Sequence, residues 1–200
     1  FAGKTVQLAE TNDWDMTEKE WIPIGTVSNM EMPYYFAGTF DGNNQTVKIK
    51  IPDPRTTYMY KGFFGAVKGG TIKNLTVDGD IYNSGNNAGI VVAQMKGGEI
   101  SNVKSKGILR GEGSSSIAGI VGNAEGCNIT DCVNDATITG RSFIGGIAGN
   151  FYNGKITNCV NLGMITGVNG PVNGSGVGGI LGNSEGNTVI MDCVNSGSIV

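Results

Sequence analysis

Four cysteines and seventeen carboxylates are the groups in this 200-residue chain with chemistry to offer, and no histidine accompanies them. That absence excludes Ser-His-Asp and Cys-His nucleophile systems, HExxH zinc sites and imidazole acid–base catalysis within these residues. A paired-carboxylate hydrolase needs acids clustered on one face, and no outward repeat position here is acidic from coil to coil. Glu10, Asp13, Asp15, Glu18 and Glu20 form an acidic run that suits a solvated surface. Asp41-Gly42-Asn43-Asn44 starts like a calcium loop but lacks the later oxygen ligands and terminal Glu, so it reads as a turn. No catalytic, cofactor-binding or metal-ligating residue is assigned, no cofactor is expected, and the segment reads as non-enzymatic.

The cysteines read as packing. Cys132, Cys159 and Cys193 share one repeat position with Leu75 and Val103, so the site treats Cys as a small apolar filler. Side chains stacked in parallel at ~4.8 Å leave Cβ atoms wider apart than the ~3.8 Å a disulfide prefers. Three equivalent thiols also cannot all pair, so buried free thiols are expected.

Net charge is −3 with no basic tail, which leaves nucleic acid nothing to hold. No apolar run approaches the ~18 residues of a membrane span, so no membrane insertion is expected. No signal peptide is visible. The chain opens at Phe1 and closes on Ile199-Val200 in mid-repeat. It is expected to be a segment of a longer protein with further domains.

The elements that must position these groups come from a repeat. Gly62-Phe63-Phe64-Gly65, Gly89-Ile90-Val91-Val92, Gly119-Ile120-Val121-Gly122, Gly146-Ile147-Ala148-Gly149 and Gly179-Ile180-Leu181-Gly182 are successive tetrads. Each precedes a second phrase: Ile72-Lys73-Asn74-Leu75, Ile100-Ser101-Asn102-Val103, Ile129-Thr130-Asp131-Cys132, Ile156-Thr157-Asn158-Cys159 and Ile190-Met191-Asp192-Cys193. A period of this size marks stacked supersecondary units. Repeats are assigned to 62–88, 89–118, 119–145, 146–178 and 179–200, one continuous domain over 61–200, with 1–60 as an N-terminal cap and first irregular coils.

Residues three apart on a straight strand point to opposite faces, yet both ends of Ile-x-Asn/Asp-apolar are apolar. A corner must lie between them. Asn and Asp tolerate the left-handed backbone that a sharp corner requires. Three short strands per turn, bent at such corners, make a β-helix. Its expected inward ladders are Ile72/Ile100/Ile129/Ile156/Ile190, Leu75/Val103/Cys132/Cys159/Cys193 and Ile81/Leu109/Ile138/Ile165/Ile199. Asn134, Asn161 and Asn195 make a polar ladder whose amides can bond between coils. In the cap, Val47-Lys48-Ile49-Lys50-Ile51 alternates as a strand with one wet face, and Thr17-Glu18-Lys19-Glu20 is expected to cap one helical turn.

Gly62-Phe63-Phe64-Gly65 followed by Gly70-Thr71-Ile72-Lys73-Asn74-Leu75, and Trp21-Ile22-Pro23-Ile24-Gly25 followed by Phe40-Asp41-Gly42-Asn43, resemble the GLUG-motif repeat proteins. The resemblance covers residues 21–200. It implies a right-handed parallel β-helix of about five coils in a bacterial secreted or cell-surface protein, and the repeat also occurs beside immunoglobulin A1 metallopeptidases. Ala136 departs from the pattern, standing where Gly79, Gly107, Gly163 and Gly197 recur.

Three loops, 82–88, 111–117 and 167–177, leave the coil after its third strand and must gather on one edge. Variable loops on a rigid scaffold are where repeat proteins place binding. Tyr82, Asn83, Asn86, Asn87, Ser114, Ser115, Asn169, Asn173 and Ser175 are therefore the candidate ligand-binding residues. The expected function is an adhesive or spacer module whose partners are host glycans or surface and mucosal proteins. The competing expectation is a non-catalytic, substrate-engaging region of a secreted immunoglobulin A1 protease-like peptidase or glycan-processing enzyme.

Overall fold

Asn74, Asn102, Asp131, Asn158 and Asp192 all hold left-handed backbone, with φ between 52° and 55°. This is the corner that the repeated phrase requires. The structure is a computed structural model that describes residues 1–10, 14–25, 34–52, 59–85, 87–111, 115–168 and 176–200. At each corner the chain turns so that both flanking apolar residues point inward. Ile129 and Cys132, on either side of Asp131, are both fully buried.

Coils stack in parallel register. Ile72, Ile100, Ile129, Ile156 and Ile190 are successive strand partners. So are Ile81, Leu109, Ile138, Ile165 and Ile199. The long strands Thr71–Tyr82, Glu99–Gly111, Val121–Thr130, Ala148–Thr157 and Leu181–Met191 belong to one 14-stranded sheet that winds past the corners. A second, five-stranded sheet holds Tyr60–Lys61, Asn87–Gly89, Ser116–Ala118, Ile144–Gly145 and Val177–Gly178, one strand per coil. The chain is an all-β parallel solenoid of about five turns, without a helix among the described residues.

Register corrects one tetrad. Phe64, Val92, Val121, Ala148 and Leu181 are partners across the stack. The second tetrad is therefore Ile90-Val91-Val92-Ala93, one residue later than its glycine suggested. Packing explains why Ile replaces Gly there. A Cβ on Gly119 would lie 2.0 Å from Asn134 Oδ1, one on Gly146 2.5 Å from Asn161 Oδ1, and one on Gly179 2.2 Å from Asn195 Cγ. Glycine at the tetrad's start makes room for the ladder Asn of the same coil, buried at Asn134 and Asn161 and exposed at Asn195 in the last coil. In the second coil the ladder position holds the smaller Ser105, in register with Asn134, and the tetrad starts with the fully buried Ile90.

The Asn ladder closes its own hydrogen bonds. Asn134 Nδ2 donates to Asn161 Oδ1 at 2.7 Å, and Asn161 Nδ2 to Asn195 Oδ1 at 2.7 Å. Ser105 Oγ donates to Asn134 Oδ1 at 2.8 Å. Val47 and Val77 continue the same position toward the N-terminus, so the ladder passes from apolar to polar along the axis. Buried amides tolerate this because each finds a partner.

Residues 39–51 form a coil strand in register with Thr71–Tyr82, apart from a bulge where Asn43 and Asn44 both take positive φ. Thr5–Gln7 and Trp14–Asp15 pair along its outer edge and cover backbone groups that would otherwise invite another strand. Trp21 stacks on Phe63 with ring centroids 4.9 Å apart, and its Nε1 donates to the Phe63 carbonyl. The expected helical turn at Thr17 is not formed. Asp15 Oδ1 instead accepts from Thr17 N at 3.0 Å and Thr17 Oγ1 at 2.6 Å. Such a local side-chain turn competes directly with helix.

The outer corner row carries a charge. Asn102 Nδ2 donates to Asn74 Oδ1 at 2.9 Å, and Asn74 Nδ2 to Asp41 Oδ1 at 3.0 Å. The Asn43 amide N–H, then Asn74 and the Lys73 ammonium, hold the Asp41 carboxyl below its ordinary value. A depressed native carboxyl stabilises the fold above its unfolded-state pKa and loses that contribution as pH falls through the native one. The melting temperature should therefore drop on acidification below about pH 4, and Asp41→Asn should make that limb shallower. An unchanged acid limb in the variant would remove Asp41 from this role.

Position in the stack should also grade the core. Ile156 is fully buried between two coils, whereas Ile190 in the last coil is 45% exposed. Ile156→Ala is expected to destabilise by about 2–4 kcal/mol, and Ile190→Ala by well under half of that. Chemical denaturation of the two variants checks the gradient.

Candidate binding faces

The loop edge is built by register at both ends of each loop. Tyr82 pairs with Arg110, and Gly111, Gly140 and Gly167 are successive partners. The returning strands at Asn87, Ser116, Ile144 and Val177 are likewise stacked. All the loops therefore leave and rejoin the solenoid on one edge.

The candidate residues on that edge divide. Tyr82 and Ser115 are half-buried and reach solvent. Asn83 does not. It is fully buried, and its side chain bonds Gly85 from both ends, Nδ2 donating to the carbonyl and Oδ1 accepting from the amide, each at 3.2 Å. Its backbone N–H donates to the Arg110 carbonyl at 2.7 Å. Asn87 is also buried, held in the five-stranded sheet between Tyr60 and Ser116. These two amides shape the loop instead of offering themselves to a ligand. Asn86, Ser114, Asn169, Asn173 and Ser175 lie outside the described residues. Lys61 was not anticipated here. It is 1% exposed, stands in register with Ala88, and donates from Nζ to the Tyr82 carbonyl at 3.1 Å.

A second face was missed entirely. Gln94, Asn123, Asn150 and Asn183 are strand partners in four successive coils, all half-buried and pointing outward. Two residues on, and so on the same face, Lys96, Glu125, Tyr152 and Glu185 form an exposed parallel row. The two rows line a shallow groove of about 310 Å³ along the solenoid axis. Its floor is an amide relay. Asn183 Nδ2 donates to Asn150 Oδ1 at 2.8 Å, and Asn150 Nδ2 to Asn123 Oδ1 at 3.2 Å. Lys96 and Glu125 pair across the rim at 3.4 Å. The signal was present in the sequence, since each amide directly follows the last residue of its tetrad.

Cys127, Cys132 and Cys159 are buried and Cys193 is half-buried, all unbridged. Burial pushes the Cys127 thiol up to about 11 and Cys132 well above its ordinary value. Among the described residues, no group of three or more His, Cys, Asp or Glu has the arrangement of a metal site.

Against known families, the model for the GLUG motif matches residues 113–139. Its described part, residues 115–139, runs from the strand Ser116–Ala118 through the tetrad and the Asp131 corner into the strand Val133–Gly140. No curated protein and no solved structure matches the chain.

Thiol accessibility should follow the stack. A neutral-pH thiol reagent is expected to label Cys193 first on the native protein, correcting the expectation that all three ladder cysteines are shielded. Cys127, Cys132 and Cys159 should label only on unfolding. Mass spectrometry of peptides after timed labelling reads this directly, and fast native labelling of Cys132 would contradict the buried ladder.

Proposed function

We propose that this GLUG-motif solenoid is a non-catalytic module of a bacterial secreted or cell-surface protein, serving as a rigid spacer with adhesive surfaces toward host glycans or mucosal and surface proteins. One observation carries this reading. The inward ladders pack the coil shut, with Ile72, Ile100, Ile129, Ile156, Leu109 and Ile138 all fully buried. A close-packed interior has no volume for a ligand, so recognition falls to the outside. There the chemistry varies from coil to coil, most of all on the loop edge. A stiff scaffold with divergent loops on one edge is suited to display.

A loop graft tests the reading. The third coil crosses the gap between Gly140 and Ile144 with Arg141-Ser142-Phe143, and these ends are in register with Gly167 and Val177 of the fourth. Residues 168–176 can therefore be replaced by Arg-Ser-Phe. Loop shortening alters closure entropy by less than about 1 kcal/mol, so the melting temperature should move by only a few degrees. Binding to a panel of mucosal proteins and glycans should weaken for any ligand held by the loop edge. A native chain that binds nothing on the panel would count against adhesion altogether.

A further inference from the structure

The axial groove between the tetrad side and the Asp/Asn corner has the chemistry of a polyol site. We infer that it binds a linear, uncharged polysaccharide laid along the solenoid axis, across the strands of successive coils. This extends the adhesive reading to a second surface and uses none of the loop residues.

The floor supplies matched donors and acceptors. In the relay Asn183 and Asn150 each spend one of the two Nδ2 N–H groups on the coil before. Asn183 spends its other on Glu185 Oε1 at 3.1 Å. Among the described residues, Asn150 keeps one N–H unspent, and Asn123 and Gln94 keep both. An amide is a donor and an acceptor side by side, the pattern that two neighbouring hydroxyls of a sugar ring complement. The relay also fixes the orientation of the Asn amides, so fewer rotamers are lost on binding than for free surface side chains.

Spacing and rim complete the match. Amides recur at the strand separation of about 4.8 Å, the scale of one sugar ring, so a chain along the axis meets the same group at each step. Tyr152 stands in the rim row between Glu125 and Glu185, 42% exposed. Its ring is an apolar face with a polar tip, able to pack against the C–H face of a sugar. The charges choose among glycans. Lys96 is engaged by Glu125, Lys68 stands at the far end of the row beside Lys96, and among the described residues no cation pairs with Glu185 at the Tyr152 end of the rim. A polyuronate or sulfated chain would meet repulsion there, whereas a neutral chain would not. A polypeptide is the poorer occupant, since the groove floor presents side-chain amides and not an open strand edge for backbone pairing.

The test is titration of the intact 200-residue chain with cellohexaose, mannohexaose and xylohexaose, with polygalacturonate as the acidic counterpart. Amide resonances are assigned and followed by NMR, and the loop-graft protein and an unstructured peptide pool run in parallel. At least one neutral hexasaccharide should shift Gln94, Asn123, Asn150 and Tyr152, with the hexamer binding more tightly than the dimer. Tyr152→Ala should weaken it about tenfold and Tyr152→Phe far less, because the ring face does the packing. Asn150→Ala should weaken it too. The Tyr152 variants alter an exposed side chain, so they decide the matter even if Asn150→Ala disturbs the stack. The loop graft should bind as the native chain does. Three results would overturn the inference: no neutral oligosaccharide shifts the groove, binding survives Tyr152→Ala unchanged, or polygalacturonate or the peptide pool takes the groove in preference. Binding lost on loop grafting but kept in Tyr152→Ala would leave adhesion standing and refute only the groove.

Discussion

The left-handed corner at Asn74, Asn102, Asp131, Asn158 and Asp192 is the constraint on which the rest of the solenoid depends. A non-glycine residue in that conformation costs roughly 1–2 kcal/mol, less for Asn and Asp, and the stack offsets it in two ways. Corner side chains bond to one another between coils, as Asn102 does to Asn74 and Asn158 to Asp131. The turn also brings Ile and Leu, Val or Cys to the same interior. Were the strand straight, one of each pair would face water in every coil.

Interior packing is then a problem of matched sections. The solenoid has to keep nearly the same cross-section from turn to turn, because its strands pair in register. A larger residue at one point of the coil is answered by a smaller one facing it. Gly119 faces Asn134, Gly146 faces Asn161 and Gly179 faces Asn195, whereas Ile90 accompanies Ser105. Lys61 shows the same accounting with a charge. It occupies a ladder position that Ala88, Ile117 and Ile144 fill elsewhere, and its ammonium reaches the Tyr82 carbonyl at the base of the first loop.

With the interior filled, function is left to surfaces. Stacking turns any outward residue that recurs at a fixed repeat offset into a row along the axis. The amide row beginning at Gln94 is such a product, and so is the rim beside it. The loop edge follows the opposite logic, since its residues are free to differ in length and kind while their anchor points stay in register. One scaffold thus presents a periodic surface and a variable one.

Much of this was legible in the chain, and for a local reason. The Ile-x-Asn/Asp-apolar phrase carries its own contradiction with a straight strand, so the corners and the two inward ladders that flank them followed from residues only three apart. What escaped depended on register between turns. Gly89 resembles the start of a tetrad, yet pairing places the tetrad at Ile90–Ala93, because strand hydrogen bonds and not glycine positions align the coils. Asn83 and Asn87 look like loop polars, but the turn at Gly85 and the five-stranded sheet bury them. Gln94, Asn123, Asn150 and Asn183 become a continuous floor only when residues some thirty apart in sequence come within one strand spacing. Local sequence determined which way each side chain turns at a corner. Which side chains become neighbours was decided by the stacking of whole coils, since contact across turns is set by backbone pairing along their entire length.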